Sequence, residues 1–438
     1  MASITQTELF CWTDVEELGD LERLALVFEN LPDEQLMRRL EARRAHGRND
    51  YPIRPMWNSL LASVVFQHPS TEALRRDLRR NAQLRLICGF PAADGARAVP
   101  PAWAYSRFQS SLCEADISAE LDAIFAALRE RLSEQLPELG RHLGGDGKAV
   151  ASRARRPGRR EEDRRGEHDA DWGLHEHREA DGTRTTVKRW FGFRLHVLAD
   201  THYELPLNFR LTRASRNEMP VMHGLLDELA QRSPALLERA QVFTADRGYD
   251  DSKLLVKLWD THRIKPVVDI RNSWQDGEES VRVGGTENVV YDYRGTVSCI
   301  CPETNTQHEM AYGGFEAERE TLKYRCPAAH YGFDCAGAEQ CPLGQATRIP
   351  ISTDRRVFTP IARSSYRWQT LYRNRSAVER INGRLDETFG FEHHTIRGLA
   401  KMHMRVTLAF SVMLAMAAGR VAEQRHTLMR SLVQTTSA

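Results

Sequence analysis

Two acidic residues stand where a hard cation could be held. Asp246 lies in Phe243-Thr-Ala-Asp-Arg-Gly-Tyr-Asp-Asp251, directly after the short apolar run Gln241–Ala245 and ahead of a glycine turn. An aspartate in that position sits at the carboxyl edge of a sheet, the place where open α/β sheets take their ligands. A helix cap or a turn is its plainer use. Glu379 lies in LYRNRSAVERINGRLDETFG, which reads as one helix. Tyr372, Arg375, Glu379 and Asp386 are offset by 3, 7 and 14 residues. At ~100° per residue those offsets fall on one stripe. A carboxylate, an arginine and a tyrosine in line suit a metal-held phosphate, although such a stripe is also an ordinary solvated face.

The elements around these residues read as mixed α/β. Arg189–Ala199 alternates like a strand, Leu205–Thr212 is a second, and Asp200–Glu204 joins them as a hairpin loop. Met222–Leu237 has helical spacing, Ser252–His262 is a helix, and Pro266–Ile270 is a buried strand. Residues 271–358, rich in Gly, Cys and Pro, read as a β-rich insertion, after which Trp368–Thr388 and Leu399–Glu423 are helical. The first ~135 residues are helical in pattern, with helices expected at Asp14–Glu29, Pro32–Arg44, Trp57–Phe66 and Ser70–Arg85. Residues 148–170 lack periodicity and read as a linker.

The pairing of the two acidic motifs resembles the DDE transposases of bacterial insertion sequences. Their third acidic residue sits in a Tyr-x2-Arg-x3-Glu-x6-Lys pattern, which Tyr372, Arg375 and Glu379 match and Asp386 breaks at the lysine position. In the family that lysine contacts DNA near the cleaved end; Arg380 and Arg384 are the nearby cations that could replace it. The Ala-Asp-Arg-Gly-Tyr-Asp context of Asp246 is similar to the family's second-aspartate motif. Residues 189–212 resemble its second and third strands, and the run from Pro55 to Phe108 its helical N-terminal domain.

The resemblance implies an RNase H-like mixed sheet with flanking helices. Expected boundaries are a helical DNA-binding region over 1–140, the first part of the core over 141–270, a Cys-containing β-rich insertion over 271–358, and the C-terminal core helices over 359–438. It also implies a first aspartate on the first core strand, for which Asp146 in His-Leu-Gly-Gly-Asp-Gly is the leading choice. Asp169, Asp171 and Asp200 are the rivals, and Leu143-Gly144-Gly145 is poor strand material.

Three carboxylates fit the chemistry. Mg²⁺ takes oxygen ligands and keeps several waters, and two such ions about 4 Å apart can bridge one phosphate. Asp146, Asp246 and Glu379 would hold two Mg²⁺, with Mn²⁺ a substitute, while Tyr372 and Arg375 position DNA. Water as nucleophile would nick a strand, and a freed 3′-hydroxyl would join it to target DNA. The implied partner is double-stranded DNA, element ends and target, bound by a homodimer. An RNase H-like nuclease without strand transfer, or a non-catalytic DNA binder descended from a transposase, would share most of these features.

Composition fits a globular chain, 41% hydrophobic and 28% charged. Lys+Arg number 61 against 60 Asp+Glu, so the distribution of charge says more than its sum. Arg75, Arg76, Arg79 and Arg80 share one broad helix face that could track a DNA backbone, with Arg75 and Arg79 as the leading contacts. Residues 151–165 hold seven Arg against three acids, as a basic arm would. Of eight cysteines, Cys299, Cys301, Cys326, Cys335 and Cys341 fall together. Four of them, Cys301, Cys326, Cys335 and Cys341, could close a structural Zn²⁺ site, with His308 and His330 as further ligands. His393-His394 reads as surface or DNA-backbone contact, and Trp368 as packing or base stacking. The most apolar run, Val406–Ala418, is shorter than the ~20 residues of a membrane span and reads as a buried helix. With no visible secretory signal, a cytoplasmic, nucleoid-associated location is expected.

Overall fold

A computed structural model describes residues 21–44, 51–158, 163, 165–178, 185–274 and 279–430. Its N-terminal part is helical: α1 Leu21–Asn30, α2 Glu34–Arg44, α3 Ile53–Val65, α4 Thr71–Arg80, α5 Ala82–Cys88, α6 Ala102–Leu112 and α7 Ala115–Gln135. The start of the expected 14–29 helix lies outside the described residues. Ser70 caps α4 by accepting from the Ala73 amide at 3.2 Å. The run expected as one helix over Ser70–Arg85 breaks at Asn81, whose φ of −101° and ψ of 104° are extended and whose side chain caps α5.

Six strands form the central sheet: β1 His142–Ala151, β2 Asp171–Arg178, β3 Thr185–Asp200, β4 Leu205–Arg213, β5 Val242–Ala245 and β6 Lys265–Val268. β3 lies antiparallel to β4 along one half and to β2 along the other. Its other edge pairs antiparallel with β1, and β5 and β6 then add in parallel. Three antiparallel strands followed by two parallel ones, in the order β4-β3-β1-β5-β6, make an RNase H-like core.

The structure corrects the reading of residues 148–170 as linker from the start, because β1 runs on through Ala151. Its glycines are what disguised it. A Cβ at Gly144 would lie 2.6 Å from both Thr201 Cγ2 and Val378 Cγ2, and one at Gly145 would lie 2.8 Å from Met222 Cε and Phe243 Cζ. Glycine weakens an isolated strand, yet here it admits neighbours that pack directly on the backbone.

Between and after the strands come α8 Glu218–Arg232, α9 Pro234–Glu238 and α10 Ser252–Val256, the last continued by a π turn over Lys257–Thr261. The insertion holds β7 Val281–Arg282, β8 Val289–Tyr291, β9 Val297–Ile300, β10 Gln307–Glu309, β11 Ala311–Glu316, β12 Thr321–Arg325, α11 Pro327–Tyr331 and β13 Ala346–Pro350. Its two small sheets, β10-β9-β8-β7 and β11-β12-β13, surround an apolar core of their own that includes Tyr291, Leu322, Tyr324 and Phe358. Three helices follow: α12 Tyr366–Tyr372, α13 Ser376–Glu387 and α14 Leu399–Ala422.

α14 ties the halves together. It packs on α1, α3, α7 and β4, so the N-terminal helices and the sheet share one core. Phe209 of β4 meets Phe125 of α7 at 5.2 Å and Phe410 of α14 at 5.0 Å, ring centroid to centroid. Full burial of each such ring contributes on the order of 2 kcal/mol. α14 is long and apolar enough to cross a membrane, but 94% of its most apolar stretch is buried inside this fold.

Candidate active site

The sheet sets two aspartates side by side. β1 and β5 pair in parallel as Leu143 with Phe243 and Gly144 with Thr244. Two residues further along that register, Asp146 is level with Asp246, on strands about 4.8 Å apart. One Asp246 oxygen caps the 3-10 turn Arg247–Tyr249, accepting from the Gly248 amide at 2.7 Å. The capping use and the sheet-edge position are therefore both present.

The third carboxylate comes from α13, which packs against β1. Asn382, one turn past Glu379, donates from Nδ2 to Asp146 Oδ2 at 2.8 Å and fastens the helix over the strand. Burial, then the negative charges of Asp246 and Glu379, push the Asp146 carboxyl above its usual range, against the Gly147 amide and Arg375. A half-buried carboxylate that feels two others is under repulsion, which a bound cation would relieve. Among the described residues no three His, Cys, Asp or Glu side chains already converge as a ready set of metal ligands. The donors nevertheless suit a hard divalent ion, being oxygens crowded by like charge.

Arg375 ion-pairs with Glu379 at 2.7 Å. Burial works against its charge, but Glu379 and Tyr372 outweigh it, so the guanidinium is firmly protonated. It lies 5.7 Å from the Tyr372 ring centroid, and Tyr372 in turn stacks on Trp368 at 4.7 Å with a 12° interplanar angle. The expected single helix is broken here. α12 ends at Tyr372, a 3-10 turn covers Arg373–Arg375, and α13 begins at Ser376. Trp368 is buried and its exposed-stacking use gives way to that internal stack.

The rival aspartates have structural partners. Asp169 accepts from the Leu399 amide at the start of α14, and Asp171 from the Ser215 amide at 2.8 Å. Asp200 accepts from Gly140 at 2.8 Å and Tyr203 at 2.6 Å in the hairpin, and burial raises its carboxyl to about 6.

Glu218, at the start of α8, was not singled out by the sequence. It pairs with Arg194 at 2.6 Å, and burial followed by the charges of Asp246 and Asp146 raises it to about 7. Its carboxylate fills space beside two glycines: a Cβ on Gly147 would lie 2.6 Å from Oε1, and one on Gly248 would lie 3.3 Å from Oε2. Asn382 was also missed. Both are common residue types whose role depends on a contact distant in sequence.

Other expectations are redirected. Arg75 is buried, donating to the Pro100 carbonyl at 2.8 Å and pairing with Glu72, so it leaves the DNA-facing set, whereas Arg79 is exposed. Arg380 and Arg384 both pair with Glu204, at 2.8 and 2.7 Å. His394 is buried and its Nε2 meets the Ala151 carbonyl at 2.9 Å, an anchor and not a surface contact. Of the four expected zinc thiols, Cys301 and Cys335 approach to 4.0 Å, while Cys341 accepts from Asn288 and no metal-ready group of three forms among the described residues. Part of the basic arm, including Arg159, Arg160 and Arg164, lies outside the described residues.

Two family models match the chain. Residues 161–415 match the model of the transposase DDE domain, and residues 14–111 match that of a transposase domain designated DUF772. The first match takes in Asp246 and Glu379 and begins after Asp146. No curated protein matches. Among solved structures, the chain is similar to the cryo-EM structure of the piggyBac transposase synaptic complex with hairpin DNA, at 11% identity and a TM-score of 0.38, covering 97% of this chain and 81% of that one. With more than half of its length matched by the first model, the chain belongs to the DDE-domain transposases, phosphoryl-transfer enzymes of mobile elements.

Proposed function

We propose that Asp146, Asp246 and Glu379 are the catalytic triad with which this transposase cleaves the ends of its element and joins them to target DNA. The observation that carries the reading is the crowding at Asp146, where Asp246 and Glu379 both raise the carboxyl of a half-buried aspartate fastened by Asn382. The three carboxylates would hold divalent ions, Mg²⁺ or Mn²⁺, in a pair. Such ions, when bound, activate the attacking oxygen and steady the departing one. No protein nucleophile is required.

The chain's own residues supply the positioning. Arg375, held charged between Glu379 and the Tyr372 ring, would meet a phosphate oxygen beside the scissile bond. The Trp368–Tyr372 stack fixes that arginine's platform. Exposed Arg79 on α4 would take a more distant backbone phosphate. The element's two ends must be handled together, so the working form is a homodimer on DNA, acting at the nucleoid.

The test is cleavage of the element's own end DNA with Mg²⁺, comparing wild type with Asp146→Asn, Asp246→Asn and Glu379→Gln. Cutting lost in all three, with DNA binding retained, is the expected result. Cutting retained in Asp146→Asn would reassign the first carboxylate.

A further inference from the structure

A second site faces the junction between the N-terminal helices and α14. A cavity of about 240 Å³ opens there, bounded by α3, the start of α4, and residues 390–397 ahead of α14. Its lining holds the cations Lys401, Arg405 and Arg397, two histidines kept neutral by burial, His68 and His394, and no Asp or Glu, although Asp77 stands behind His68. Such one-sided charge in a concave site concentrates anions.

Arg405 is the telling residue. Its guanidinium donates to Ser63 Oγ at 3.2 Å, to the Ser63 carbonyl at 3.4 Å and to the Phe389 carbonyl at 3.2 Å, all of them neutral. Among the described residues its printed partners are these neutral groups, and burial draws its pKa down to about 10. A seated cation without a counter-ion carries a desolvation cost that an incoming anion would offset. Lys401, on the same face one turn earlier, also lacks an ion pair among the described residues.

Two neighbours point the same way. His68 has only 10% of its side chain exposed; Nε2 meets Asp77 at 3.0 Å, while Nδ1 is buried without a partner. α4 begins at the cavity, with Ser70 and Thr71 in the lining and the positive end of the helix nearby.

The cavity is joined to the catalytic strand. His394 lines it and is bonded to Ala151 at the end of β1. Asp146 lies five residues earlier on that strand, about 17 Å away at ~3.4 Å per residue.

We propose that this cavity is a phosphate site that takes one backbone phosphate of the bound DNA, away from the cut. The DNA part of this rests on the proposed function; the anion part does not. Arg405 and Lys401 supply the charge, and His68 and the start of α4 supply further donors.

Two measurements on the full chain separate these parts. The first is affinity for a duplex carrying the element's terminal repeat, across roughly 50–200 mM salt. Lys401→Gln should weaken binding several-fold and reduce the slope of log affinity against log salt by about 1. Arg405→Lys should retain the slope, and Arg405→Gln, if it folds by circular dichroism, should lose it. The second is the melting temperature in inorganic phosphate against chloride at equal ionic strength. Wild type should gain stability in phosphate and Lys401→Gln should not. A phosphate effect with an unchanged DNA slope would overturn the backbone assignment in favour of a free-anion site. Loss of neither in Lys401→Gln would overturn the site altogether. If wild type fails to bind the duplex while phosphate still stabilises it, the functional reading has failed and the anion site stands.

Discussion

Lys148 of β1 forms an ion pair with Asp386 of α13, so a cation two residues past Asp146 meets an anion seven residues past Glu379. The motif that residues 372–386 resemble would place a lysine at Asp386. Here the helix offers the acid and the strand returns the positive charge to the same place. Arg380 and Arg384 both pair with Glu204. Only 11% of the Lys148 side chain and 25% of Asp386 are exposed, so neither is an idle surface charge.

The pair should therefore behave as a unit. Asp386→Ala strands a largely buried ammonium and is expected to lower unfolding stability by about 1–3 kcal/mol, with Lys148→Ala similar. Asp386→Lys alone should be worse, and adding Lys148→Asp should recover most of the loss. Urea denaturation of wild type, the two alanine variants and their double gives the coupling energy. Independent, additive losses would show that the pair contributes nothing beyond its separate residues.

Asp146→Asn should remove catalysis and yet stabilise the metal-free protein. The Asp146 carboxyl is raised in the fold, so its ionisation costs stability as pH rises from the unfolded value through the folded one. The gain from asparagine should accordingly be small in acid and grow as pH rises toward neutral. Mg²⁺ should raise the melting temperature of wild type and have little effect on the variant. A variant less stable than wild type at pH 7 without metal would mean that Asp146 is not crowded by like charge.

Asp246 and Glu379 were legible because each lies in a short motif whose spacing is local. β1 was harder to read. Gly144 and Gly145 argue against a strand when only the chain is considered, and they become intelligible once Val378 and Phe243 are seen pressing on them. Glu218 and Asn382 were invisible for a related reason. Glu218 is 72 residues from Asp146 and Asn382 is 236, and nothing near either one in sequence announces the contact. Arg75 shows the converse, since helical periodicity placed it on a broad basic face but could not tell that Pro100 and Glu72 claim it.

Glu218 gives a further expectation. It is raised to about 7 by burial and by Asp246 and Asp146, so the stability it contributes is present below about 4.5 and lost as pH climbs toward 7. Glu218→Gln should flatten that decline in melting temperature. Gly147→Ala attacks the same contact sterically, because the new methyl would lie 2.6 Å from Glu218 Oε1. We expect it to cost roughly 1–2 kcal/mol of stability and to lower cleavage at least tenfold. Cleavage at the wild-type rate would show that Glu218 can yield without disturbing the aspartates.

Arg75 and Arg79, one helical turn apart on α4, should separate folding from DNA binding. Arg75 is seated with its guanidinium on the Pro100 carbonyl and Glu72, and truncation leaves that carbonyl short of a donor. Arg75→Ala is expected to lower stability by about 2 kcal/mol. Arg79 is exposed, so Arg79→Ala should stay within about 0.5 kcal/mol of wild type. Its effect should appear instead as weaker binding to all DNA sequences alike and a shallower salt dependence. If Arg79→Ala binds DNA as wild type does at every salt concentration, α4 serves only the fold, and the backbone contacts must come from elsewhere.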